Sequence, residues 1–149
     1  MPSVTSVLCV DPDAAFAAIT DLPNLPSWNE RIIAVPEVPP ELTPDAVWIS
    51  QLHIPGYTWR SRSRILSLDQ ATRHFSYVSQ TDDGNPSHTN WTWQIAPHSK
   101  GCAVTVKWTL TPLTFWRQRL LVHVRGWMLR DEVAASLRAL EAHVLTIQI

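Results

Sequence analysis

Glycine is scarce in this chain, with 4 residues in 149. Neither G-x-G-x-x-G nor G-x-x-x-x-G-K-S/T occurs, so dinucleotide-binding and P-loop folds lose their main sequence support. An excess of one charge is also missing. Lys plus Arg is 12 and Asp plus Glu is 13, a formal net charge of −1. That balance offers a polyanion no electrostatic attraction, so no nucleic-acid partner is expected. The only cysteines are Cys9 and Cys102, too far apart in sequence for a metal box or a C-x-x-C pair. The start of the chain has no basic region followed by an apolar core, so no export signal is read there. Reduced thiols in the cytoplasm are therefore the expectation, with a disulfide bridge left open. No apolar run reaches the ~18 residues of a membrane span, so no integral membrane association is expected. The histidines (His53, His74, His88, His98, His123 and His143) never fall in H-x-x-x-H or H-E-x-x-H spacing, which leaves zinc little support. No serine sits in G-x-S-x-G, so the usual nucleophile elbow is absent.

What remains is a globular composition, 45% hydrophobic and 17% charged, with 8 tryptophans. The length fits one domain, residues 1–149. Residues 3–10 read as a β-rich strand. Asp11-Pro12-Asp13 then opens a helix, with Asp11 as its cap, Pro12 at its first position and Asp13 at its positive dipole end. Phe16 and Ile19 lie three apart on one face of it. Pro23 and Pro26 allow a short second helix only. Pro36, Pro39, Pro40 and Pro44 make residues 36–44 a stiff extended loop. Five strands follow, at 46–54, 57–68, 73–80, 87–96 and 102–111, with turn formers at every joint. Short joints predict an antiparallel meander. Over residues 115–146 the period changes. Leu129, Val133, Leu137, Leu140 and Val144 recur at helical spacing, on a rod of ~45 Å. Such a helix laid over one face of a curved sheet covers it incompletely and leaves room for a cavity.

The segment Asp11 to Asp21, followed by Leu25-Pro26-Ser27-Trp28-Asn29, resembles the opening of the START-like or SRPBCC superfamily. That opening is a strand, a P-x-x-V-F/W-x-x-I/L-x-D helix and a Y/L-P-x-W turn. Trp91-Thr92-Trp93-Gln94-Ile95 resembles its later hairpin, and the element order matches over nearly the whole chain. The resemblance implies an α+β helix-grip fold of the Bet v 1 type: a curved antiparallel sheet around a long C-terminal helix, with two short helices after the first strand. It also implies a deep cavity for a lipid-like or polyketide-like molecule, and no cofactor. Rieske oxygenases share the fold, but no 2-His-1-carboxylate spacing matches their iron ligands. The scaffold hosts enzymes, carriers and sensors, so it does not decide among them.

Strand alternation nominates the cavity-facing residues. Tyr57, Trp59, Ser61, Ser63 and Ile65 share one face, opposite Arg60, Arg62 and Arg64. That basic set is either a solvated outer face or a contact for an anionic partner or membrane surface. Phe75, Tyr77 and Ser79 form the next inward set, then Trp91, Trp93 and Ile95, then Val104, Val106, Trp108 and Leu110. The tryptophans fill the core or line a ligand site. Trp28 reads as packing between the short-helix turn and the sheet. On the long helix, Trp127 and Met128 flank Gly126, whose missing side chain leaves room for a ligand. His123 faces partly inward, as a filler or as a general base. Asp131 and Glu132 are adjacent, so they point ~100° apart and cannot form one paired site. They are expected to neutralise arginines at i±4.

Three functions compete. The first is binding of a small hydrophobic or aromatic ligand, through Tyr57, Trp59, Ser61, Tyr77, Trp91, Trp93, Trp127 and Met128. The second is a polyketide cyclase or aromatase that folds its substrate in the same cavity, with Tyr77 and His123 as catalytic candidates and Tyr57, Ser61 and Ser63 as further polar groups. The third is an interaction protein whose interior is packed shut by indole rings. Binding ranks first because few ionisable groups converge on the inward face. The sequence leaves homodimer formation open.

Overall fold

The computed structural model describes residues 2–81, 87–111 and 116–148, with side chains of the last helix from Leu129 to Ile147. Strand β1 (Ser3–Leu8) leads into helix α1 (Pro12–Thr20). The corner is fixed by Asp11, whose Oδ2 accepts from the backbone N–H of Asp13 at 3.0 Å and of Ala14 at 3.1 Å. Two donors that the helix start would leave orphaned are thereby satisfied. Ala15, Phe16, Ala18 and Ile19 are buried on the inner side of α1. A 3-10 helix at Leu22–Ser27 follows, with Pro26 inside it. It accommodates the second proline that a regular α-helix would not.

Seven strands form one antiparallel sheet, in the order β1-β7-β6-β5-β4-β3-β2. They are β2 (Ile32–Glu37), β3 (Val47–Ile54), β4 (Tyr57–Asp69), β5 (His74–Thr81), β6 (His88–His98) and β7 (Gly101–Thr111). Strand β2 corrects the expected count of six, which omits residues 32–37. It is an edge strand whose pairing with β3 is broken by register shifts on both sides of Ala34. Pro36 is tolerated there because an edge strand has one side without ladder bonds. A further irregularity lies between Ile65 and Ser67, beside Leu66, which alternation turns outward and which is 41% exposed.

Helix α2 (Trp116–Gln148) runs 33 residues, about 50 Å at ~1.5 Å per residue. Its expected apolar stripe is its buried face: Leu129, Val133, Leu137, Leu140 and Val144 are all buried. Each such side chain contributes about 2 kcal/mol of hydrophobic stabilisation. This C-terminal part of α2 packs on β1, β7 and α1. Glu141 ties it to the corner after β1 by accepting the backbone N–H of Cys9 at 2.7 Å. The fold is the expected helix grip.

Candidate functional site

Strand pairing sets out the inner face of the sheet as rows. One row is Val4, Val106, Trp93 and Phe75. The next is Trp108, Trp91, Tyr77 and Ile65, and after it Leu110, Thr89, Ser79, Ser63 and Trp48. The following row holds Thr81, Ser61 and Ser50, and the hairpin tip carries Trp59 and Tyr57. Burial changes along this series. Cys102, Val104, Val106, Ile95 and Phe75 are fully covered. Farther on, Tyr77, Trp91, Ser79, Thr89, Leu110, Thr81, Ser61 and Trp59 are only half-buried, while Ile65, Trp108, Trp48, Ser63 and Ser50 in the same rows remain buried. One end of the concave face is therefore sealed by α1 and the C-terminal part of α2, and the other retains accessible surface.

Aromatic rings border that change. Trp48 meets Tyr77 edge-on at 4.9 Å and lies near-parallel to Phe75 at 6.0 Å between centroids. Tyr77 is near-parallel to Trp91 at 6.4 Å, and Trp91 tilts against Trp108 at 6.0 Å. The Trp93 indole N–H donates to the Tyr77 hydroxyl at 3.3 Å. Burial pushes the Tyr77 phenol up to about 12, and the bond from Trp93 pulls weakly the other way. At neutral pH the hydroxyl is a proton holder and hydrogen-bond donor, not a base. Among the described residues, two indole N–H groups, those of Trp28 and Trp108, are buried with no hydrogen-bond partner. A buried donor left unsatisfied costs about 1–3 kcal/mol.

The nominated residues divide. Trp59, Ser61, Tyr77 and Trp91 lie half-buried on the concave face. Ser61 donates its hydroxyl to the Gln80 carbonyl at 3.2 Å. Trp93 is core, at 6% exposure. Tyr57 departs from the inward placement expected of it. It has the right parity but stands at the β3–β4 tip, beyond the covering layer, at 60% exposure and stacked on Trp59 at 5.5 Å. His123, Trp127 and Met128 fall on α2, where their side chains lie outside the described residues. Trp28 has the packing role expected of it, buried edge-on against Trp93 at 5.9 Å.

Sequence alone does not single out Trp48. Val47-Trp48-Ile49 is a continuous apolar run, and such a run does not show which residue faces inward. Its pairing with Ser63 reveals it.

A separate cleft of about 270 Å³ opens between the segment after the 3-10 helix and α2, lined by Glu30, Arg31, Asp131, Glu132, Ala135 and Ser136. Arg31 Nε bridges it to Glu132 Oε1 at 3.1 Å. Glu132 thus pairs with an arginine of another element. Arg60, Arg62 and Arg64 face outward and are exposed, with Arg64 paired to Asp45 at 3.0 Å. Cys9 and Cys102 are free. The Cys102 thiol is pushed up by burial and by the Asp11 and Glu141 carboxylates, against the pull of Arg73. Among the described residues, no group of three His, Cys, Asp or Glu side chains could hold a metal ion. No described helix is long and apolar enough to cross a membrane.

The family described as polyketide cyclase / dehydrase and lipid transport matches residues 3–145. Solved structures share the fold at low identity. A protein from Thermus thermophilus is 18% identical with a TM-score of 0.76, covering 99% of this chain and 100% of its own. Ara h 8.0201 is 18% identical with a TM-score of 0.74, covering 97% of each chain. The major latex-like protein 151 of Panax ginseng is 13% identical with a TM-score of 0.72, covering 95% of each. No curated protein matches the sequence.

Proposed function

Because this chain belongs to the polyketide cyclase / dehydrase and lipid transport family, we propose that it binds a small hydrophobic or aromatic molecule between the sheet and α2. The observation that carries this reading is the half-buried stretch of concave face. Tyr77, Trp91 and Trp59 offer aromatic surface there, beside a core that is otherwise closed. Sites of this kind are concave, mostly apolar and largely preformed, with a few polar groups to orient the ligand. The Tyr77 hydroxyl and the Ser61, Ser63 and Ser79 hydroxyls are the polar groups at hand.

The test is equilibrium dialysis and intrinsic Trp fluorescence, with a panel of neutral aromatic compounds and fatty acids. Saturable one-to-one binding, lost when Ser79→Phe fills the open stretch, supports the proposal. A folded protein that binds no member of the panel overturns it.

A further inference from the structure

The polar groups on the concave face are unlike those of a plain hydrocarbon pocket, and they are all uncharged. Among the described residues, no inward-facing position of β3 to β7 carries Lys, Arg, Asp, Glu or His. Two donors there have unspent capacity. Ser63 and Ser79 bond to each other across the β4–β5 ladder at 2.8 Å. Such a pair uses one hydroxyl hydrogen and leaves the other to donate elsewhere. In the adjacent row the Trp108 N–H is buried without a partner. Trp108 is 1% exposed and Ser63 4%, while Ser79 is half-buried, so bulk water does not reach the Trp108 N–H and meets the serine pair only from the Ser79 side. Buried donors of this kind are usually paired, and a ligand acceptor would satisfy them. Against these described sheet positions a carboxylate is a poor fit, because a buried anion needs a cation or several donors converging on it.

Resting on the ligand-binding reading above, we infer that the site selects a neutral ring compound that presents carbonyl or ether oxygen to Ser63, Ser79 and Trp108, over a pure hydrocarbon or a fatty acid. The aromatic rings supply area, and these donors set orientation. One matched pair of probes isolates the oxygen: 2-acetonaphthone carries a carbonyl where 2-ethylnaphthalene has a methylene.

Kd for both is measured by equilibrium dialysis on the full chain and on the Ser63→Ala/Ser79→Ala variant, with palmitate as competitor. The inference expects the variant to weaken the ketone about fivefold, the equivalent of one net hydrogen bond, with the hydrocarbon unchanged. It also expects palmitate in hundredfold excess over the ketone to displace none of it. Equal change for both probes, no change for either, or displacement by palmitate overturns the inference while the pocket itself stands. Trp108→Phe, which keeps a ring and removes the N–H, repeats the comparison at the second donor. If neither naphthalene binds the unaltered protein, the inference falls. If nothing in the wider panel binds either, the ligand-binding reading falls with it.

Discussion

The Trp93 indole nitrogen donates to the Tyr77 hydroxyl at 3.3 Å, joining a core side chain to one at the boundary of the accessible concave surface. The bond spans β5 and β6, where Phe75 pairs with Trp93 and Tyr77 with Trp91. It fixes the phenol in surroundings that hold its proton to about pH 12. Tyr77→Phe leaves the Trp93 N–H without that acceptor. The expected cost is about 1–3 kcal/mol of stability, measured by urea denaturation at pH 7. A change within a few tenths of a kcal/mol would show that the bond contributes nothing.

The same phenol makes a pH-dependent contribution. Its folded value, about 12, lies above the ordinary 10. Between those values the unfolded chain releases the proton and the folded chain keeps it. The stability it confers is complete below pH 10 and is lost as pH rises through 12. The difference between unaltered protein and Tyr77→Phe is therefore expected to shift by about 2 kcal/mol between about pH 9.5 and 12. Parallel stability curves over that range would contradict it.

Two glycines separate conformational strain from collision. Gly56 sits at φ +82° in the β3–β4 turn, and nothing lies within 4 Å of where a Cβ would stand. Gly56→Ala is expected to cost about 1–2 kcal/mol from the left-handed backbone alone. Gly101, at φ +143°, is different, because an added Cβ would run into the Leu8 carbonyl and come within 2.7 Å of the Val10 nitrogen. Those are backbone atoms and cannot swing aside. Gly101→Ala is expected to cost about 3 kcal/mol or more. Thermal unfolding of the two variants side by side checks the order.

Asp11→Ala removes the carboxylate that bonds the Asp13 and Ala14 amides. A loss of about 1 kcal/mol is expected, read as a lower Tm. Asp11→Asn, which retains an acceptor oxygen, is expected to recover most of it.

Much of this architecture could be read before any coordinates, because it follows from local rules. The Asp11 cap, the alternation through Val104, Val106 and Trp108, and the stripe from Leu129 to Val144 depend on neighbours in the chain. Strand β2 is hidden because Pro36, with the prolines that follow it, reads as loop, and only its edge position makes Pro36 acceptable. Trp48 is hidden inside an apolar run. The Glu132 bond to Arg31 is set by the approach of two elements about a hundred residues apart, which helical spacing does not encode. The graded burial of the concave face depends on how elements remote in the chain pack over it. For that reason parity places Tyr57 inward, although the cover does not reach it.

The central claim, that the accessible end of the concave face is a ligand site, is tested most directly by NMR of the indole N–H groups. The chain has 8 tryptophans, so each assigned resonance reports on one position. Titration with 2-acetonaphthone is predicted to shift the Trp91 and Trp108 signals and the amides of Ser63 and Ser79, saturating at one equivalent per chain. Shifts confined to the cleft around Arg31 and Asp131, or no saturable shift with this ketone or with any member of the wider panel, would contradict the account.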